Sequence, residues 1–237
     1  MSDRDAGASA ARGCPALEVA GDGLWTATRR QRFWGLETGT RMTVVRLGDG
    51  GLFVHCPVAL DRATRAAVDA LGPVRAVAAA SLFHHLYAGD WLRAYPDALF
   101  CASPGLEKKR ADLAWGHVLS DTPHPLWAGE LDQRYFGARF EHEVVFFHAR
   151  SRTLVCADAL LDLSRHPSRT TRLVARLMGN TAPGRGWPER FAVRDRAAAR
   201  RQVDAMLGWD FERIALAHGT PVEQDGRAIL RAAYAWL

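Results

Sequence analysis

EVVFFHARSRTLVCADALL, residues 143–161, reads as two apolar strands joined by the polar turn ARSR and ended by an acid. A carboxylate that ends a buried strand is uncommon without a partner. Asp158 is therefore a candidate to bind a metal ion, to pair with a histidine, or to cap the segment that follows it.

Downstream of Asp158 the chain turns helical. SRTTRLVARLMG (168–179) carries apolar residues at helical spacing, NTAPGRGWPE (180–189) is loop-like, and RDRAAARRQVDAMLGW (194–209) reads as a long basic helix. RIALA (213–217) is a strand that runs into HGTP (218–221), and GRAILRAAYAWL (226–237) is a closing helix. Upstream the chain is richer in strands. ALEVA (16–20) and LWTAT (24–28) flank a Gly-Asp-Gly turn, and RMTVVRL (41–47) and GLFVHCPV (51–58) form a hairpin about an Asp-Gly turn. DRATRAAVDALG (61–72) is an amphipathic helix with Asp61 as N-cap and Gly72 as stop. PVRAVAAA (73–80) is a strand whose continuous apolar character fits burial on both faces. A helix through GDWLRAY (89–95), a strand ALFCA (98–102), a short helix GLEKKRADL (105–113), a loop over 115–129 and a strand DQRYF (132–136) complete the order. This is not the regular alternation of a doubly wound sheet. Two strand-rich halves with helices outside them predict an α/β chain of the α+β kind, a four-layer αββα sandwich.

The chain has 237 residues, 48% hydrophobic and 24% charged, which suits one globular domain over 16–237. Residues 1–15 lack an apolar leader core and read as a disordered tail. No apolar run approaches a membrane span, so no membrane partner is expected. The four cysteines form no CxxC pair; reduced thiols and a cytoplasmic location follow, with Cys56 and Cys156 as small buried hydrophobes. Net charge is +5, and residues 162–201 hold ten arginines against Asp162, Glu189 and Asp195. That segment would attract an anionic small molecule or, as a weaker reading, nucleic acid; the plain alternative is a solvated helical surface. No GxSxG elbow supports a serine nucleophile. His117, His124, His148 and His166 read as surface or loop residues, and Trp115, Trp127 and Trp187 as packing anchors in loops or as pocket walls.

SLFHHLYAGDW (81–91) places two histidines between a strand and a helix, where many α/β proteins carry their chemistry. Together with FVHCP (53–57), the 143–161 stretch and IALAHGTP (214–221), it makes residues 16–237 resemble the metallo-β-lactamase superfamily. The chain is also similar to one bacterial branch of that superfamily, a domain of unknown function whose metal motifs are degenerate. The superfamily's loop T-H-x-H-x-D-H-x-G maps with Ser81 on the Thr, Leu82 on the first His, His84 on the second, Leu86 on the Asp, Tyr87 on the last His and Gly89 on the Gly. The middle His falls near Arg139, with His142 three residues away. The resemblance assigns the bridging acid to Asp158 and the final His to His218, and puts His55 where the superfamily has a loop-orienting Asp. It implies that three strand ends converge on one site.

On that mapping His84, Asp158 and His218 supply three ligands to one divalent ion, zinc first and iron or manganese next, with an open position for water. His55 or His85 would be a fourth ligand or an outer partner that fixes a ring tautomer. One of two consecutive residues on a turn points away, so at most one of His84 and His85 is expected to be a direct ligand. Asp158 would also act in catalysis, and Tyr87 would donate to a developing oxyanion. The implied activity is hydrolysis of an anionic ester, thioester or phosphodiester. The rival expectation keeps the fold without the metal, as a non-catalytic protein that binds a small ligand or a partner; Leu82 and Leu86 favour it. Each histidine also admits a plain role, satisfying loose backbone groups at a turn.

Overall fold

As a computed structural model, the chain is described over residues 16–137 and 142–237. The tail expected over 1–15, with Cys14, and the position of Arg139 lie outside these residues. β1 (Glu18–Gly21) and β2 (Leu24–Arg29) pair antiparallel about the Gly-Asp-Gly turn. A small ribbon of β3 (Arg32–Phe33) and β4 (Leu36–Glu37) follows, and then the predicted hairpin of β5 (Thr40–Arg46) and β6 (Leu52–His55). Helix α1 (Arg62–Leu71) starts and stops where its caps predict: the Asp61 carboxylate accepts the Thr64 N–H at 2.7 Å, and Gly72 takes φ +152°. β7 (Val74–Ala79), α2 (Ala88–Ala94), β8 (Leu99–Ala102), α3 (Leu106–Lys109) and the two-residue β9 (His117–Val118) complete the first half.

The second half has β10 (Leu131–Phe136), β11 (Glu143–His148) and β12 (Thr153–Cys156), then α4 (Arg169–Leu177), α5 (Trp187–Ala192), α6 (Arg196–Leu207), β13 (Arg213–Leu216) and α7 (Gly226–Ala233). Helix α5 lies partly where the sequence reads as loop, and Trp187 opens it. Its Pro188 sits in the first turn, where the missing proline N–H costs nothing. No helix among the described residues is long and apolar enough to cross a membrane.

Among the described residues one sheet runs β1-β2-β5-β6-β7-β8-β9 and a second runs β10-β11-β12-β13. Their side chains alternate between three layers of core, because successive strand residues face opposite sides. Val45, Phe53, Ala76 and Ala78 meet Val144, Phe146, Val155 and Ala215 between the sheets. Val44, Val54 and Val77 face outward onto Val68 of α1 and Trp91 of α2. Val145, Leu154 and Ile214 face outward onto Val203 of α6 and Leu230 of α7. The layers are therefore αββα, as expected from the order of elements. Strands covered on both faces read as unbroken apolar runs for this reason.

The same burial corrects one reading. His148 is not a surface residue: it ends the buried strand β11 at 2% exposure, and its Nδ1 lies 2.7 Å from the Ser151 hydroxyl. Trp127 is an anchor as expected, fully buried, with its indole N–H donated to Gln133 at 2.8 Å. Cys56, Cys101 and Cys156 are free and buried.

Candidate metal centre

Parallel strands end on the same edge of a sheet. β6 and β7 are parallel in one sheet, and β12 and β13 are parallel in the other. The Val144 N–H donates to the Ala80 carbonyl at 2.8 Å and ties the two sheets together at that edge. The segments that follow β7, β12 and β13 deliver His84, Asp158 and His218 to one place. One donor atom from each lies within 4.8 Å of the others, the one such group of three or more among the described residues. Their side chains are 7%, 13% and 16% exposed, which leaves a narrow opening to solvent.

The geometry turns on one oxygen. Asp158 Oδ1 is 3.4 Å from His84 Nε2 and 3.5 Å from His218 Nε2. The other oxygen, Oδ2, accepts the Ser81 hydroxyl at 2.9 Å, and Ser81 in turn accepts the Phe83 N–H at 3.2 Å. His218 Nδ1 lies 2.7 Å from the Gly39 carbonyl. A carbonyl only accepts, so Nδ1 carries the hydrogen and the neutral ring turns the lone pair of Nε2 toward Asp158. Charge-assisted N–H···O bonds run about 2.7–2.9 Å. The two distances here are longer. They match the separation of about 3.4 Å between two ligands that share a tetrahedral zinc ion at about 2.1 Å each.

Titration of the three groups follows from their burial together. Burial alone would raise the Asp158 pKa, but the His84 and His218 imidazoles and the Ser81 hydroxyl outweigh it and hold it well below the usual carboxylate range. Burial opposes a charge on His84; Cys56 and Asp158 beside it prevail and hold its pKa above the ordinary value. Burial and the charge on His84 push His218 down to about 4.

Supporting residues fix this arrangement. Glu143, fully buried at the start of β11, accepts the backbone N–H groups of Ala157, Asp158 and Ala159 at 2.6, 2.7 and 2.5 Å. Arg41 on β5 donates to the Leu216 and Gly219 carbonyls at 2.6 and 2.9 Å, bracketing His218. Gly219 takes φ +91°, and a Cβ there would stand 1.7 Å from the Asp162 carbonyl oxygen. That explains the glycine in HGTP. The sequence does not reveal Glu143 or Arg41 as site residues. The available signal is a charged residue at the start of an otherwise apolar strand in one case and none in the other.

The remaining expected site residues lie outside the three-residue cluster. His55 is buried, its Nε2 3.7 Å from the Cys56 sulfur, and burial pushes its pKa down to about 3. Cys56 also contacts His84, so it is more than the inert hydrophobe that its apolar run suggests. His85 is turned to Arg110, whose guanidinium lies 3.0 Å from Nδ1; burial, Lys109 and Arg110 lower its pKa to about 4. Tyr87 donates its one hydroxyl hydrogen to the Gln31 side chain at 2.9 Å. His142 pairs with the Tyr135 hydroxyl at 2.6 Å.

A family model described as a domain of unknown function, DUF4336, matches residues 21–183. The chain belongs to that family. Its fold is that of the metallo-β-lactamases. The DIM-1 metallo-β-lactamase superposes with a TM-score of 0.64 at 15% identity, over 93% of this chain and 96% of that one. A metallo-β-lactamase from Erythrobacter litoralis gives 0.64 at 16% identity over the same shares. FIM-1 from Pseudomonas aeruginosa, in a mono-zinc form, gives 0.60 at 14% identity over 93% of this chain and 94% of that one. Among curated proteins none matches.

Proposed function

We propose that this member of the DUF4336 family holds a single divalent metal ion between His84, Asp158 and His218, and that it hydrolyses an anionic ester, thioester or phosphodiester. The observation that carries the reading is the placement of two imidazole nitrogens 3.4 and 3.5 Å from one carboxylate oxygen. Gly39 aims a lone pair of His218 at that oxygen. Two acceptors that face each other repel unless a cation lies between them. A divalent ion there supplies Lewis acidity toward a carbonyl or phosphoryl oxygen and makes water more acidic.

The chain's own residues do the rest. Ser81 occupies Oδ2 of Asp158 and leaves Oδ1 for the cation. Gly39 holds the His218 tautomer, and Glu143 holds the backbone on either side of Asp158. Arg185, 1% exposed, donates to the Asp158 carbonyl at 3.4 Å and brings positive charge close to the acid. The expected role of Tyr87 at an oxyanion requires that its hydroxyl leave Gln31.

Elemental analysis of untagged protein purified without chelators tests the reading. About one equivalent of zinc, iron or manganese is expected, and it is lost in His218→Ala and in Asp158→Ala. Screens of anionic esters, thioesters and phosphodiesters then follow. Leu82 and Leu86, at two positions where the superfamily has ligands, favour the second reading of a non-catalytic binding protein. Protein that stays metal-free after reconstitution would refute the metal centre and turn the search to small ligands and partners.

A further inference from the structure

We propose that the face around the mouth of the metal centre docks on a membrane surface rich in anionic lipid. Exposed large apolar side chains concentrate there. Phe33 and Trp34 sit at the tip of the β3–β4 ribbon with their rings stacked at 4.9 Å, and Trp34 is 94% exposed. Phe83, next to His84, meets Phe33 edge-on at 5.9 Å. Beyond the ribbon, the Thr171 hydroxyl of α4 donates to the Glu37 carbonyl of β4 at 2.7 Å and holds the helix against it. Thr171 and Ala175 face inward, so Leu173 and Leu177, one turn apart, face out. Trp187 donates its indole N–H to the Leu177 carbonyl at 3.3 Å, and Phe191, 79% exposed, meets Trp187 edge-on at 6.2 Å. These contacts link the side chains into one arc from the ribbon to α5. The segment that bears the ribbon is joined to the centre through Gly39 and His218.

The charge within this arc selects the occupant. Arg169 and Arg176 are exposed on α4 within a turn of Leu173. Arg30 precedes the ribbon and Arg32 lies in it, both within 4.0 Å of Glu37, and Lys109 lies over the Phe83 ring at 5.3 Å; Arg190 on α5 is exposed, with its guanidinium over the Trp236 ring. Two acids beside the arc are engaged, Glu37 by the Gln31 N–H and Arg30 and Glu107 by the Gly105 N–H, and α5 contributes Glu189 to its sequence alongside Arg190. A second copy of this chain would set the same arginine-bearing patch against itself across a two-fold axis. Nucleic acid would suit the arginines and stack on the aromatic rings but gains little from Leu173 and Leu177. Aromatic and leucine side chains among cations match the interface of a bilayer with anionic headgroups. Such contact needs no spanning helix, so it departs from the expectation of no membrane partner, which rested on spanning runs alone.

The test is co-sedimentation of chelator-treated protein with phosphatidylcholine vesicles, with and without an equal part of phosphatidylglycerol. Metal-free protein separates this proposal from the assigned metal centre. Binding to the mixed vesicles is expected, weakened by salt, with a blue shift of tryptophan emission that Trp34→Phe diminishes. Trp34→Glu and Phe191→Glu abolish sedimentation. Arg169→Gln and Arg176→Gln each lower the partition coefficient about five-fold. Val19→Glu, at an exposed apolar position on β1 outside the arc, changes nothing. All five positions are exposed, and circular dichroism confirms that each variant folds. No binding to the mixed vesicles at low salt overturns the proposal. So does vesicle binding that survives both glutamate substitutions, which would be bulk charge alone. Tighter binding to single-stranded DNA, or a dimer broken by Phe191→Glu in protein that ignores vesicles, also overturns it.

Discussion

Replacing Glu143 by glutamine tests whether the metal centre is held from behind. The carboxylate accepts three backbone N–H groups, one on Oε1 and two on Oε2. A glutamine has one acceptor oxygen and one NH2 group, which donates only. In its better orientation the amide oxygen keeps Asp158 and Ala159, and the NH2 group meets the Ala157 N–H donor to donor. A buried unsatisfied donor costs about 1–3 kcal/mol, and losing the negative charge weakens the two bonds that remain. The total is about 2–4 kcal/mol, which lowers Tm by roughly 5–15 °C in a chain of this size. The turn at 157–159 carries Asp158, so metal affinity falls as well, by about 10–100-fold for an outer partner of a ligand. Thermal unfolding followed by circular dichroism and titration against a chromophoric chelator read the two effects. A Glu143→Gln protein with unchanged Tm and unchanged metal affinity would refute the reasoning, because the three bonds would then contribute nothing to the loop.

Gly219→Ala places a Cβ 1.7 Å from the Asp162 carbonyl at a left-handed backbone position. It should cost at least about 2 kcal/mol in urea unfolding and disturb His218 as its neighbour. Arg41→Lys replaces a fork that donates to two carbonyls and to the Thr28 hydroxyl by a single ammonium. Stability should fall by about 1–3 kcal/mol, with weaker metal binding by chelator competition. His148, far along β11 from the centre, has its pKa pushed down to about 4 by burial and by Arg150. The unfolded chain takes up that proton near 6.5 and the folded chain only near 4, so its contribution is lost as pH falls through that window. Urea unfolding of wild type and His148→Gln between pH 7 and pH 4 should show a shallower loss in the variant; parallel curves would reject the assignment.

The layers of the fold were legible because their signals are local. Asp61 and Gly72 bound α1 as their chemistry predicts, and Asp-Gly marks the β5–β6 turn. What escaped notice had atypical or distant signals. The β3–β4 ribbon turns through Trp34 and Gly35, both left-handed at φ +47° and +81°. A tryptophan there hides the turn, because asparagine or glycine normally announces it. Helix α5 was hidden by Pro188, which reads as a breaker unless the helix start is already known. His148 looks like a surface residue only while the second covered face of β11 is unknown. At the site, His84, Asp158 and His218 could be named because they fall on motif positions of the superfamily that the chain resembles, and their convergence follows from that resemblance and not from spacing. Glu143 could not, because its partners are backbone N–H groups 14–16 residues away, and those have no side-chain signature.

The same residues limit what chemistry the proposed centre can do. A second metal ion would need further donors, and the positions that could supply them are spent or apolar. Leu82 and Leu86 have no donor atoms, His85 is bound to Arg110, and Tyr87 is bound to Gln31. His55 is buried beside Cys56, apart from the cluster. What remains is one carboxylate and two imidazoles, and a bound ion would hold both rings neutral by displacing the proton that Asp158 and Cys56 favour on His84. Against a divalent ion that set leaves a net charge of +1, and the buried guanidinium of Arg185 behind Asp158 adds to it. A site of that charge behind a narrow opening attracts an anion more strongly than a neutral molecule of the same shape. Inorganic phosphate should therefore inhibit the activity in competition with substrate, and Arg185→Met should weaken that inhibition while the protein keeps its metal. Inhibition by phosphate that is unchanged in Arg185→Met would remove Arg185 from the account and leave the metal charge to act alone.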